Sequence, residues 1–363
     1  MKQNSALYVY LCGLHSPEKF QSSIYKDLIL ALEAKRLCIT SKILDAQIII
    51  MCDFSVAEWK SVNRHKNKFK VLLRLEARSI LPIQYQKRVE KGFDLIFDLG
   101  RVPKAQKEKV VELPYPYSYS ENPIGDRFHE IDLAKEFKYH RSSVSSFESW
   151  SSRPHQIVMI SSNKESHNFW NNYRLRRAIL KRNNKVILFG TLWNQSFLVI
   201  LKNRFWIMQQ GFSHMSFTNF PYFFGGLLRK YQNYHGVVKN KSDILLKAKF
   251  NVVIENSNEA LTEKVFDSLI CGAIPLYFGP SLKKLNFPQN LAIQAYSKKE
   301  LMQLVKNPPE ISESWFQAWA ESRAGFIDEL TGGQGKFNPK SVFFKLVNVL
   351  REQAEIVLDD MVH

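Results

Sequence analysis

Cysteine is scarce: four in 363 residues. None sits in a CxxC pair or beside paired histidines, which excludes a zinc framework. Cys12, Cys38, Cys52 and Cys271 stand among apolar neighbours, where buried, reduced thiols of a cytoplasmic protein are the default. There is no DxD pair and no His/Asp/Glu cluster with ligand spacing, so no metal site is expected. No run of about 18 uncharged apolar residues occurs, which excludes a membrane-spanning helix. The opening residues, MKQNSALYVYLCGL, carry one lysine and no convincing cleavage site, so no signal peptide is expected. Internal repeats and heptad arrays are absent too.

Acidic residues are few against basic ones, 34 to 51, for a formal charge of +17. The excess gathers at Lys60 to Lys70, at Lys104 to Lys109 and at Arg174 to Lys185. Such clusters suit nucleotide phosphates, nucleic acid or acidic headgroups, and equally serve as solvated faces. No RNP or zinc-finger pattern accompanies them, so nucleic acid is not the expected partner. A composition 45% hydrophobic and 13% aromatic is that of a globular chain, and the length suits two domains.

Strand and helix signals alternate along the chain. In the first half, strands are predicted at Ala6 to Leu11, Ala46 to Met51, Lys70 to Leu75 and Phe93 to Leu99, with helices at Ser23 to Lys35 and near Gln84 to Lys91. A Pro/Tyr-rich segment, Leu113 to Tyr119, follows, and the Ser-rich stretch Ser142 to Pro154 reads as an interdomain linker. The second half restarts with strands at Gln156 to Ile160 and Val186 to Gly190 and helices at Phe169 to Lys181 and Lys239 to Lys247. Parallel α/β sheets follow from this order. The division predicted is an N-terminal domain over 1–150, a second over 151–340, and a C-terminal helix over 341–363 packing back on the first. Between Gly190 and Tyr234 lie Trp193, Phe197, Phe205, Trp206, Phe212, Phe217, Phe220, Tyr222, Phe223 and Phe224. Core, acceptor-binding wall and interfacial membrane patch are the three readings open for them.

Phe250 to Pro280, FNVVIENSNEALTEKVFDSLICGAIPLYFGP, is the most informative stretch. Phe250 to Ile254 reads as a strand covered on both faces, and Glu255-Asn256-Ser257 stand at its carboxyl end. Thr262 reads as the N-cap of a helix whose apolar stripe is Val265, Phe266, Leu269 and Ile270. Gly272 ends that helix, and Ile274 to Phe278 form the next strand. Ligands of open α/β sheets bind at the carboxyl ends of strands. Lys264 and the helix N-terminus would favour an anion there, and Glu263 a sugar hydroxyl pair, which together suit a sugar nucleotide.

The ordered set Lys249-Phe250, Glu255-Asn256-Ser257, Thr262-Glu263-Lys264, Gly272-Ala273-Ile274-Pro275 and Gly279-Pro280 resembles the α-1,3-fucosyltransferase family. Two positions depart from its pattern: Ala248 stands where an aromatic is usual, and Glu259-Ala260-Leu261 replaces a longer segment before TEK. The resemblance implies a GT-B fold, two Rossmann-like domains with parallel sheets facing across a cleft. It also implies inverting transfer from GDP-fucose to a glycan acceptor, with no cofactor or metal required. A lipid-linked acceptor and an acidic membrane surface are partners the basic charge would suit, on a cytoplasmic protein peripheral to the inner membrane face.

Glycosyl transfer needs a carboxylate base and cations for the departing diphosphate. Glu76, ending the apolar strand before Pro82, looks like the family's proposed base; pairing with Arg74 or Arg78 is the competing role. Asp53, Asp94 and Asp98 are the other carboxylates assigned to that edge. For the diphosphate, Lys264 comes first. Arg174 matches the family arginine on the helix after Ser162-Asn163, with Arg176 and Arg177 as neighbouring registers. Lys241 resembles a recurrent family lysine, and Glu255 and Asn256 could hold the sugar or order the loop.

Overall fold

The computed structural model describes residues 7–14, 25–102, 108–117, 146–163, 171–194, 198 and 230–360. Short runs of Ile, Val and Leu form its strands, most of them buried on both faces as in parallel sheets. Six strands make the first sheet: β1 (Leu7–Gly13), β2 (Leu37–Ile39), β3 (Ile48–Cys52), β4 (Phe69–Arg74), β5 (Leu95–Leu99) and β6 (Val110–Leu113). Their order is β2-β1-β3-β4-β5-β6, and every pairing is parallel. All five residues of β3, IIIMC, are buried.

The second sheet takes β7 (His155–Ile160), β8 (Ile187–Phe189), β9 (Ala248–Ile254), β10 (Ile274–Phe278) and β11 (Ile293–Gln294). Its order is β11-β10-β9-β7-β8, again parallel throughout. Phe250 stands opposite Ile274 and Ile254 opposite Phe278, so β9 and β10 end in register. Two parallel α/β sheets are what the alternating pattern predicts.

On the first sheet, the helix α1 (Lys26–Ala34) covers one face, α2 (Val56–Val62) and α3 (Lys87–Glu90) the other. Three further helices, α4 (Phe147–Ser151), α5 (Tyr173–Arg182) and α6 (Lys241–Leu245), precede the stretch that reads as the site. Helix α7 (Lys264–Ile270) joins β9 to β10, and α8 (Lys298–Lys306), α9 (Glu313–Thr331) and α10 (Pro339–Asp360) complete the chain. The apolar face of α10, Val342, Phe343, Leu346, Val347, Leu350 and Ala354, has helical spacing and buries in the core of the first sheet. Phe343 lies against Tyr25, and Arg351 Nη1 donates to the Lys35 carbonyl just past α1.

The Ser-rich stretch is not a linker where it is described. Ser146 caps α4 by accepting from Ser149 N (3.1 Å), and Trp150 buries against Phe250 and Phe316. Arg153, only 8% exposed, donates to the carbonyls of Leu245, Ala248, Cys271 and Gly272. Arg323 from α9 donates to those of Leu269 and Ile270. Two buried guanidiniums thus satisfy the carbonyls at the C-terminal end of α7, where the helix leaves its acceptors unpaired. A serine-rich composition hid this because the two residues that matter, Trp150 and Arg153, are single side chains within it.

Contacts between the two halves come instead from the Pro/Tyr-rich segment and the end of β5. Tyr117 stacks on Phe266 at 4.5 Å, and its hydroxyl donates to Asp267 Oδ1 (2.9 Å). Beyond β5, Leu261 N donates to the Gly100 carbonyl (2.8 Å) and Val102 N to the Glu259 carbonyl (3.1 Å). Gly100 has φ +68°, and a Cβ there would come within 2.8 Å of Tyr115 Cβ and 3.1 Å of the Leu261 carbonyl oxygen. Only glycine allows this approach.

Candidate functional site

The carboxyl edge of the second sheet is polar at every central strand. β7 runs into Ser161-Ser162-Asn163, β8 into Gly190-Thr191, β9 into Glu255-Asn256-Ser257 and β10 into Gly279-Pro280. Apolar strands that release polar residues together at one edge create a binding crevice there.

Glu255 is fully buried. Its Oε1 accepts from Thr262 N (3.1 Å), and its Oε2 accepts from Thr262 Oγ1 (2.6 Å) and lies 3.5 Å from Lys264 Nζ. Lys264 Nζ also donates to Thr262 Oγ1 (2.6 Å). One carboxylate thereby fixes the whole TEK turn. A Cβ on Gly279 would fall 2.6 Å from Glu255 Cγ, so glycine in the closing GP turn makes room for it. Of the two roles open for Glu255, this geometry gives it the ordering of the loop. Thr262 differs from its expected role: α7 begins at Lys264 with Glu263 in the cap position and no side-chain cap bond, because the Thr262 hydroxyl is committed to Glu255.

Around that turn the charges alternate. Lys241 Nζ pairs with Asp267 Oδ2 (2.7 Å) and lies 3.8 Å from Glu263 Oε1, which is also 3.8 Å from Lys264 Nζ. Burial raises the Glu263 carboxyl, but Lys264 and Lys241 outweigh it and hold it down at about 2. Burial pushes Asp267 up and its lysine only partly offsets this. Lys241 is held above its ordinary value, its two carboxylates overcoming desolvation. Glu263, with a folded value below its unfolded one, stabilises the fold above about pH 4.5 and loses that contribution as pH falls toward 2. Glu263→Gln is therefore expected to flatten the acid limb of stability against pH in that window. Urea unfolding at stepped pH checks it; an unchanged limb would mean that the two lysines do not hold this carboxylate in solution.

Arg176, not Arg174, reaches the ENS loop. Arg174 is exposed on α5, whereas Arg176 is 2% exposed. Its Nη2 donates to the Ile254 carbonyl (2.8 Å) and to Asn256 Oδ1 (3.0 Å). Its guanidinium lies 4.7 Å from the centre of the Tyr173 ring. Arg177 is buried too and donates to Asn163 Oδ1 (3.2 Å). Helical periodicity could have chosen among the three, since Tyr173, Arg176, Arg177 and Leu180 share a face and Arg174 lies off it.

Glu76 stands two residues beyond β4, at the carboxyl edge of the first sheet. Its N–H and that of Leu75 both donate to Asp53 Oδ1 (3.0 Å each). Its carbonyl accepts from Gln84 Nε2 and Tyr85 OH (2.8 Å each). Arg74 is engaged elsewhere, with Glu90 (3.0 Å) and Asp98 (3.4 Å). Asp94 sits at the opposite edge from Glu76, at the start of β5, accepting from Lys70 N (2.7 Å), so it does not share the edge the sequence reading assigned it. Tyr115 connects the two clusters. Burial raises its hydroxyl well above the ordinary value, and the charges of Glu263, Glu76, Asp267 and Glu255 add to that. Glu76 from one half and Glu263, Asp267 and Glu255 from the other thus bear on one phenol.

The exposed members of the basic clusters lie away from this crevice, whereas Arg176 and Arg177 of the third cluster line it. Lys60, Arg64 and Lys66 are exposed ahead of β4, at its amino end, and Lys181, Arg182 and Lys185 are exposed at the end of α5. Among the described residues no helix is long and apolar enough to cross a membrane. Trp193 is core, its Nε1 donating to the Ser161 carbonyl (2.6 Å). Phe197, Phe205, Trp206, Phe212, Phe217, Phe220, Tyr222, Phe223 and Phe224 lie outside the described residues, as do positions 103–107 of the second basic cluster. Ala248 is buried under Arg153. Cys38 is exposed, unlike the other three cysteines, because β2 is the edge strand and presents this side chain to solvent.

The two parallel α/β sheets have the GT-B fold. The structure is similar to that of Anabaena Alr3699/HepE in complex with UDP and glucose, with a TM-score of 0.52 and 7% identity over 95% of this chain and 100% of that one. It is similar to an alpha-glucosyltransferase in complex with UDP, at a TM-score of 0.50 and 10% identity over 96% and 100% of the two chains. An alpha1,3-fucosyltransferase aligns over 98% of this chain and 91% of its own, at a TM-score of 0.48 and 15% identity. No protein-family model and no curated protein sequence matches the chain.

Proposed function

We propose that this chain is an inverting glycosyltransferase that moves L-fucose from GDP-β-L-fucose to a hydroxyl of a glycan acceptor, α-1,3-linked and of the surface-polysaccharide type. The observation that carries the reading is the ENS–TEK turn, ordered around buried Glu255 at the carboxyl edge of one sheet, with Glu76 at the facing edge of the other. UDP in the complexes of the two GT-B structures with the higher scores supports a nucleoside-diphosphate sugar as donor; the motif set supports fucose and guanosine. In this reaction Glu76 takes the proton of the acceptor hydroxyl as its oxygen attacks the anomeric carbon. The bond to the diphosphate breaks on the opposite face, and GDP leaves with the electron pair, giving the α product. Glu263 accepts from sugar hydroxyls, Asn256 orients with Arg176, and Lys264, Lys241 and Arg176 supply positive charge toward the diphosphate. The arginine of the donor site is thereby Arg176 in place of Arg174.

Incubation with GDP-fucose and a panel of glycan acceptors, followed by NMR of the product, tests the reaction. An α-linked fucose is expected; a β-linked product, or transfer from UDP-glucose alone, would sink the proposal. At the donor site, Lys264→Ala is expected to weaken GDP binding by about 10-fold or more, the scale of one charge-assisted contact. Arg174→Ala should leave it within about twofold, as suits an exposed side chain. Calorimetric titration with GDP separates the two, and equal affinities would remove Lys264 from the site. The UDP complexes favour one second reading, a UDP-sugar donor in the same crevice.

A further inference from the structure

The segment Glu259-Ala260-Leu261, shorter than its counterpart in the family it resembles, pairs with the end of β5 instead of standing alone. Leu261 N and the Glu259 carbonyl hydrogen-bond with Gly100 and Val102, which flank Arg101. Arg101 is 7% exposed. Its Nη1 lies 3.6 Å from Glu259 Oε2, its Nε 4.0 Å from Asp98 Oδ1, and its Nη2 donates to the Tyr85 hydroxyl. Two guanidiniums lie against the Tyr85 ring, Arg101 at 4.2 Å and Arg74 at 4.5 Å from its centre, and Arg74 is itself fixed by Glu90 and Asp98. Burial raises the Tyr85 hydroxyl and the guanidiniums only partly offset this, so it remains a donor. What it donates to is the Glu76 carbonyl (2.8 Å).

The Glu76 main chain is thus clamped at both ends, its N–H on Asp53 and its carbonyl on Gln84 and Tyr85. Gln84 is wholly buried, bonded to Phe54 N and Asp53 Oδ1 in the first sheet, with its Nε2 also 3.4 Å from the Tyr85 hydroxyl. Tyr85 differs, because through Arg101 it answers to a loop of the second sheet. We infer that Tyr85 is a positioning residue for Glu76, and that Arg101 links this positioning to the 259–261 segment next to the donor turn. The inference rests on the reading of Glu76 as the base. A carboxylate aimed from a fixed peptide keeps its reacting oxygen in place, and a 1 Å misplacement costs about 100-fold in rate. A shift of the 259–261 segment would move Arg101, and with it the phenol that holds the Glu76 carbonyl.

Tyr85→Phe removes one oxygen and leaves the ring against its guanidiniums. It is expected to lower kcat by about tenfold or more while GDP affinity stays within about twofold. In a Glu76→Gln background the same substitution should cost nothing further, since two residues that act as a unit are not additive. Arg101→Lys, which keeps the charge and loses the planar fork, should show the same split between kcat and GDP affinity and serves if Tyr85→Phe folds poorly. Unchanged kcat overturns the inference. So does an equal loss in the Glu76→Gln background, which would place Tyr85 in another role, and so does a parallel loss of kcat, affinity and melting temperature. Full turnover by Glu76→Gln alone would overturn the base itself, and is distinguishable from all of these.

Discussion

Glu76→Gln is expected to lower turnover by about 10²–10⁴-fold, the range that a positioned general base contributes. Glutamine keeps the shape of the side chain, and the Glu76 main chain keeps its bonds to Asp53, Gln84 and Tyr85. The substitution therefore removes the proton acceptor without dismantling the loop around it. Donor affinity should survive, because the ENS–TEK turn belongs to the other sheet. Steady-state kinetics with GDP-fucose, alongside GDP titration, gives the split. Turnover near the wild-type rate would transfer the role of base to another carboxylate of the crevice, and Glu263 would then be the first to examine.

Glu255→Ala should have the largest effect on the donor half. It strips Thr262 N–H and Oγ1 of their acceptor and Lys264 of a partner inside a site where Glu255 itself has no exposure. Breaking a buried pair by deleting one member costs about 3 kcal/mol or more, most of it from the groups left unpaired. Urea unfolding should show that loss, and GDP binding should fall with it as the TEK turn loses its anchor. Glu255→Gln, which retains an acceptor for Thr262 N–H, should fall between the two. An alanine variant with wild-type stability and wild-type GDP affinity would show that the turn orders itself without Glu255.

How legible the molecule was follows from where its information lies. Strands β3 and β10 are continuous apolar runs, β4 and β9 are apolar runs with a charged or polar residue inside, and the sequence shows all four within a residue or two. β2 and β11 have three and two residues, too few for any period, and α9 has apolar residues spread around it that blur its face. The site divides the same way. Glu255, Thr262 and Lys264 are near in sequence and fall in one motif set, but which atom bonds which is not legible there: the pattern predicts a cap at Thr262, and its hydroxyl serves Glu255. Arg176 is one of three arginines in four positions; the face it shares with Tyr173 sets it and Arg177 apart from Arg174, and only the structure separates those two. Asp53, Gln84 and Tyr85 converge on Glu76, and Arg101 on Tyr85, from three separate segments, which no local pattern announces. Arg153 and Arg323 meet at the end of α7 from 170 positions apart, Arg153 in the stretch whose composition predicts a linker and Arg323 on a helix with no local sign of the contact.

The central claim is that the crevice binds a guanosine diphosphate sugar, and thermal stability with millimolar GDP, UDP, ADP and GDP-fucose side by side tests it most directly. A ligand present at about 100 times its Kd adds about 2.7 kcal/mol, enough to raise the midpoint by several degrees. Stabilisation by GDP and GDP-fucose, with UDP and ADP without effect, is the predicted result. Stabilisation by UDP or ADP with none by GDP would contradict it.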